Sequence, residues 1–178
     1  MTFQKSKLLI STLLVSAACS SQAENYLGAS VCSGGVDYTT SQTKPDGYLS
    51  ANFYYGKSLN DSLFLEAGLI TGKSIDYDDE DKDEKDEVEL ETLYLALKGV
   101  LDLSAQHSLY AKAGLQQYQY EVESNGSTLL DKSGLGYSLD LGWEYGLSDK
   151  LTTRVQFGYL DLGKLTSNTL QFGIAYSI

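Results

Sequence analysis

Eleven carboxylates crowd the sixteen residues from Asp76 to Glu91, with Lys82 and Lys85 as the only cations among them. The run carries nine net negative charges. Closely spaced carboxylate oxygens are hard donors that suit Ca²⁺ or Mg²⁺. Asp76, Asp78, Glu80 and Glu87 occupy positions 1, 3, 5 and 12 of a calcium-loop spacing. Asp81 stands where that loop needs Gly for its sharp turn, so the spacing by itself makes a weak cation site. The same charge would attract a cationic peptide or surface. The plain alternative is a solvated acidic loop that repels its neighbours.

Other chemistry is sparse. His107 is the single histidine. It directly follows the turn-like stretch Asp102–Gln106, at the end of the chain pattern remote from the long connections. A Ser-His-acid hydrolase acting at an outer lipid surface would need its histidine at the opposite end. His107 is therefore expected to be an exposed turn residue, and no catalytic residue is assigned. The net charge of −11 makes nucleic acid an unsuitable partner.

The first 23 residues read as an address. Lys5 and Lys7 precede the apolar run Leu8–Ala18, and Ser21-Gln22-Ala23 offers small residues where a signal peptidase reads. Cleavage is expected between Ala23 and Glu24. It removes two lysines and no acid, so the charge of residues 24–178 becomes −13. A rival reading takes Ser16-Ala17-Ala18-Cys19 as a lipoprotein box with Cys19 acylated. Without Cys19, Cys32 is the one remaining cysteine, and no intramolecular disulfide can form. No later segment approaches the roughly 18 apolar residues of a spanning helix.

The elements that must position these groups have a period of two. Eight strands are expected at about 26–36, 47–57, 62–72, 88–101, 107–122, 134–146, 150–160 and 168–178. The sixth is the clearest. Leu135, Tyr137, Leu139, Leu141, Trp143 and Tyr145 alternate with Gly136, Ser138, Asp140, Gly142 and Glu144. Short turn-like connections alternate with longer ones, about 37–46, 73–87, 123–133 and 161–167. An even strand count with this alternation predicts an all-β, eight-stranded antiparallel up-and-down transmembrane β-barrel. The single Pro, Pro45, falls in a long connection, where it breaks no ladder.

Alternation alone does not say which face is inside. An inward apolar face would make a soluble lipocalin-like ligand barrel. Three patterns favour an outward one. An eight-stranded lumen is only wide enough for side chains, which suits small residues beside a few long charged ones. The charges on the polar face balance, with Glu66, Asp140 and Glu144 matched by Lys98, Lys112 and Arg154. All six fall in the half nearer the short turns and predict an internal ion-pair network. Apolar-face aromatics gather at strand ends: Tyr55, Trp143, Tyr145 and Tyr176 towards the short turns, Tyr137 and Tyr159 towards the long loops. That arrangement matches two interfacial belts.

The last strand places Leu170, Phe172, Ile174, Tyr176 and Ile178 at every second position to the final residue. This is similar to the terminal signal read by the barrel-assembly machinery, with Ile178 in the place usually held by Phe. Residues Leu135–Ile178, with Gly-Leu-Gly-Tyr-Ser-Leu at 134–139, and Tyr26-Leu27-Gly28 resemble small eight-stranded outer-membrane proteins of the OmpX/Ail and OmpA-barrel type. The resemblance implies a non-enzymatic barrel among outer-membrane lipid and lipopolysaccharide of a Gram-negative bacterium. Termini would be periplasmic and long loops extracellular, serving adhesion, surface interaction or envelope integrity. No cofactor is expected beyond weakly bound Ca²⁺ or Mg²⁺, and any extracellular partner should be cationic. The alternatives are a narrow pore and the soluble ligand barrel.

Overall fold

The computed structural model describes residues 25–38, 47–75, 86–124, 127–163 and 165–178. Residues 1–24, with Cys19 and the expected cleavage site at Ala23 and Glu24, lie outside them. So do Asp76, Asp78 and Glu80, while Glu87 is described in its backbone alone.

Every element among the described residues is a strand. In chain order they are β1 Asn25–Tyr38, β2 Gly47–Asn60, β3 Leu63–Ile75, β4 Asp86–Asp102, β5 His107–Ser124, β6 Ser127–Gly146, β7 Leu151–Asp161 and β8 Leu165–Ser177. Each pairs antiparallel with the next, and β1 closes on β8 from Tyr26↔Ser177 to Tyr38↔Leu165. Closure leaves no open edge, so the backbone satisfies its own hydrogen bonds, as a hydrocarbon surrounding requires.

The alternation resolves with the apolar face outward. Leu135 is 82% exposed and Leu115 73%, while Glu66 is fully buried and Lys98 is 2% exposed. Ser30, Asn52, Gln116, Gln156 and Gln171 are buried beside them. An apolar exterior around a polar core is stable only where hydrocarbon replaces water outside. The soluble barrel with an apolar lumen is thereby overturned.

The three short turns share one device. Ser104 Oγ accepts hydrogen bonds from the backbone N–H groups of Gln106 (3.3 Å) and His107 (3.2 Å). Ser148 Oγ does the same for Lys150 and Leu151, at 3.4 and 3.1 Å. Asn60 Oδ1 accepts from the Ser62 N–H at 3.0 Å. A short polar side chain that bonds the backbone two residues on sets a tight reversal.

At the opposite end the strands run farther than the sequence pattern indicates. β5 and β6 stay paired to Ser124↔Ser127, so most of the expected loop 123–133 is ribbon, with a register shift at Val122/Glu123. The expected loop 161–167 shrinks to a tight turn. Leu162 N–H donates to Leu165 O at 2.8 Å, Gly163 N–H donates to Asp161 Oδ1 at 2.8 Å, and Gly163 holds φ at +80°. Glycine adopts that left-handed backbone without steric cost. The other two expected loops, 37–46 and 73–87, lie mostly outside the described residues. Residues 127–133, Ser-Thr-Leu-Leu-Asp-Lys-Ser, do not alternate apolar with polar, so the period of two that marks the other strands is missing there.

Candidate functional site

The six lumen charges form one alternating chain. Lys98 Nζ contacts Glu144 Oε1 at 2.6 Å, and Arg154 NH2 approaches the same oxygen at 2.7 Å. The latter is close enough for an ion pair without the alignment of a hydrogen bond. Arg154 NH1 donates to Glu66 Oε2 at 2.9 Å, and Lys112 Nζ donates to Glu66 Oε1 at 2.8 Å. Lys112 lies 3.8 Å from Asp140 Oδ2. Three cations and three anions thus alternate, as Lys98, Glu144, Arg154, Glu66, Lys112 and Asp140. Neutral pairing answers the cost of burying each charge, which alone would be several kcal/mol.

Glu66 is the hub. Besides the two cations it accepts the hydroxyls of Tyr26 and Tyr94, each at 2.9 Å. Four donors on one buried carboxylate fill its lone-pair positions. The network continues outward, since Tyr110 Oη donates to Gln156 Oε1 and Gln156 Nε2 to Asp140 Oδ1, both at 2.9 Å.

The sequence pattern puts Tyr54, Tyr94 and Tyr110 on the polar face but assigns these tyrosines no role, although it carries a signal for one. Tyr26, Tyr54, Tyr94 and Tyr110 are all buried on the polar face. Each lies directly opposite a glycine in register: Tyr26↔Gly56, Tyr54↔Gly28, Tyr94↔Gly68 and Tyr110↔Gly142. The ring folds across the space a Cβ would need, so a Cβ on Gly68 would sit 2.7 Å from Tyr94 Cε1. The rings also carry the cations. Arg154 Cζ stands 4.5 Å from the Tyr54 ring centroid, and Lys98 Nζ 4.6 Å from that of Tyr110. Such contacts are worth about 2 kcal/mol or more when desolvated. Charges and rings together occupy one cross-section of the barrel.

A second layer of different chemistry crosses the lumen farther from the short turns. Tyr48, Leu90, Tyr120, Leu160, Leu162 and Leu165 pack there as a buried apolar cluster, drawn from β2, β4, β5, β7, the last turn and β8.

On the outside, Tyr137, Trp143 and Tyr176 are exposed, and Tyr55, Tyr145 and Tyr159 are half-buried. Trp143 and Tyr145 stack near the short turns, and Tyr137 meets Tyr159 towards the other end. His107 differs from the expected free turn residue. It is the first residue of β5, and its ring stacks on Trp143 with centroids 5.5 Å apart and planes 17° apart. It therefore packs among the outer aromatics, with Tyr145 as its second ring neighbour.

Of the acidic run, Glu89 and Glu91 have described side chains, both exposed. Glu89 faces Lys73 across β3 and forms an ion pair with it; on its other side it stands opposite Glu121 of β5. The proposed cation ligands Asp76, Asp78 and Glu80, and the side chain of Glu87, lie outside the described residues.

Comparison with known proteins agrees with this geometry. No curated protein matches the chain. Several solved structures share its fold. Neisserial surface protein A has a TM-score of 0.75 at 15% identity, with 89% of this chain and 100% of that one covered. The attachment invasion locus protein Ail of Yersinia pestis reaches 0.65 at 12% identity, over 89% and 100%. The N-terminal β-barrel domain of Pseudomonas aeruginosa OprF reaches 0.61 at 14%, over 88% and 100%. Ail has also been solved with the heparin analogue sucrose octasulfate. The family described as outer membrane protein beta-barrel domain matches residues 7–177, and this chain belongs to that family of outer-membrane β-barrels.

Proposed function

We propose that the barrel is a non-enzymatic anchor and that its long connections, chiefly residues 76–85 with the flanking strand ends, are the working surface. The termini face the periplasm in this reading, and the long connections face the outside. The observation that carries it is the acidic run Asp76–Glu91, which joins β3 to β4 at the end remote from residues 25 and 178. Among the described residues, neither the outer wall nor the lumen concentrates charge of one sign in this way.

The sign of the charge selects the partner. Ail was crystallised with a sulfated polyanion. A run with nine net negative charges would repel such a ligand and attract a cationic peptide or surface. Divalent cations are the second candidate, held weakly by Asp76, Asp78, Glu80 and Glu87. The barrel-assembly machinery would read Leu170–Ile178 during insertion.

The test compares cells displaying the intact chain with cells displaying a variant whose acids from 76 to 91 are all changed to Asn or Gln. The intact chain should bind a polylysine-coated surface more strongly, and the difference should fade with salt. Equal binding would refute the surface role of the run. Calorimetry of the folded barrel with Ca²⁺, before and after changing Asp78, Glu80 and Glu87 to Asn or Gln, tests the cation role. Negligible heats from both proteins would end it.

A further inference from the structure

Between the ionic layer and the apolar layer lies a chamber of about 30 Å³. Tyr48 and Leu160 of the apolar cluster form its roof, and Tyr94, Lys112, Asp140 and Gln156 of the network form its floor. Asn52 and Gln116 line its wall and are buried to 2% and 3% exposure. Asn52 Oδ1 and Gln116 Oε1 find no hydrogen-bond partner among the described residues. Leaving two buried amide oxygens without partners is costly, so each calls for a partner that the surrounding side chains do not supply. A polar cavity takes a water once it has roughly 10–15 Å³ of such space. The volume therefore matches about two waters, and the chamber supplies the polar partners they need.

We infer that this chamber is a buried-water site held on Asn52 Oδ1 and Gln116 Oε1, closed by two independent seals in series. The inner seal is ionic and aromatic. The outer seal is apolar. Loss of one seal opens the chamber to one side of the membrane, and only loss of both gives a continuous water path.

Cys32 makes the inference measurable. Its side chain lines the same chamber, and it is 1% exposed. In refolded residues 24–178, where Cys32 is the one cysteine, its labelling by a small charged thiosulfonate reports whether the chamber is open, and planar-bilayer recording reports whether a path is continuous. Leu162→Ser with Leu165→Ser breaks the outer seal. Glu144→Ala with Arg154→Ala breaks the inner one and keeps the remaining charges balanced. Unchanged heat-dependent gel mobility identifies variants that fold. Should either pair fail that check, Leu162→Ala alone or Tyr110→Ala alone takes its place.

The expected result is slow labelling in the parent, labelling at least tenfold faster in each seal variant, and a discrete conductance only in the combined variant. Labelling of the parent at the rate of a free thiol would overturn the closed chamber. Conductance from a single-seal variant, or none from the combined variant, would overturn the series arrangement. A crystal structure with no ordered water, or with a metal ion instead, at Asn52 Oδ1 and Gln116 Oε1 would overturn the water site.

Discussion

Replacing Glu66 by Gln tests the lumen network at its hub. Glutamine keeps the shape and exchanges one acceptor oxygen for an N–H₂ donor. Oε1 serves Tyr94 and Lys112, while Oε2 serves Tyr26 and Arg154. Either orientation of the amide therefore points N–H groups at a buried cation, and the layer changes from neutral to a net charge of +1. Breaking a buried pair from one side costs about 3–5 kcal/mol. With a urea slope of about 1–3 kcal/mol per molar, the unfolding midpoint should fall by about 1 M or more. Lys112→Met alone leaves an unmatched carboxylate and should cost a similar amount. The double variant Glu66→Gln/Lys112→Met restores neutrality and should recover at least half of the summed loss. The assay is reversible urea unfolding in phospholipid vesicles, followed by the emission of Trp143 and by gel mobility. A single variant within about 0.5 kcal/mol of the parent, or a double variant whose loss equals the sum of the two singles, would refute a charge-coupled network.

Further outcomes follow from the same geometry. Gly142→Ala should destabilise by about 1–3 kcal/mol, because the new methyl must displace the Tyr110 ring. Gly99→Ala, where a Cβ meets nothing within 4 Å, should be neutral or stabilising by up to about 1 kcal/mol; equal effects in urea unfolding would deny the ring-over-glycine packing. His107→Ala removes the ring stacked on Trp143 and should change Trp143 emission while lowering stability by no more than about 1 kcal/mol; an unaltered spectrum would show that the stack does not persist. In SDS, the unboiled folded chain should migrate apart from the boiled one, since the closed ladder from β1 to β8 must melt before the chain takes up detergent uniformly; a single band would contradict closure.

Much of this protein is written in its sequence as a period of two. Leu135 to Tyr145 set out one apolar face and one polar face, and a two-residue period with turn residues between segments leaves few architectures besides a barrel. The balance of Glu66, Asp140 and Glu144 against Lys98, Lys112 and Arg154 was also legible, because a narrow lumen cannot hold unmatched charge. The order of contacts was not. That Arg154 bridges Glu144 and Glu66, and that Lys112 reaches both Glu66 and Asp140, depends on strand stagger, which brings together residues as far apart as 66 and 154. The tyrosine role was hidden for the same reason. Tyr94 and Gly68 are ordinary strand residues until register sets one opposite the other. The stretch 127–133 of β6 carries no alternating signal, so its pairing with β5 shows only in the register. The chamber between the two layers belongs to the tertiary structure alone. Its roof, floor and wall come from different strands, and only closure of the sheet brings Cys32, Asn52 and Gln116 around one space.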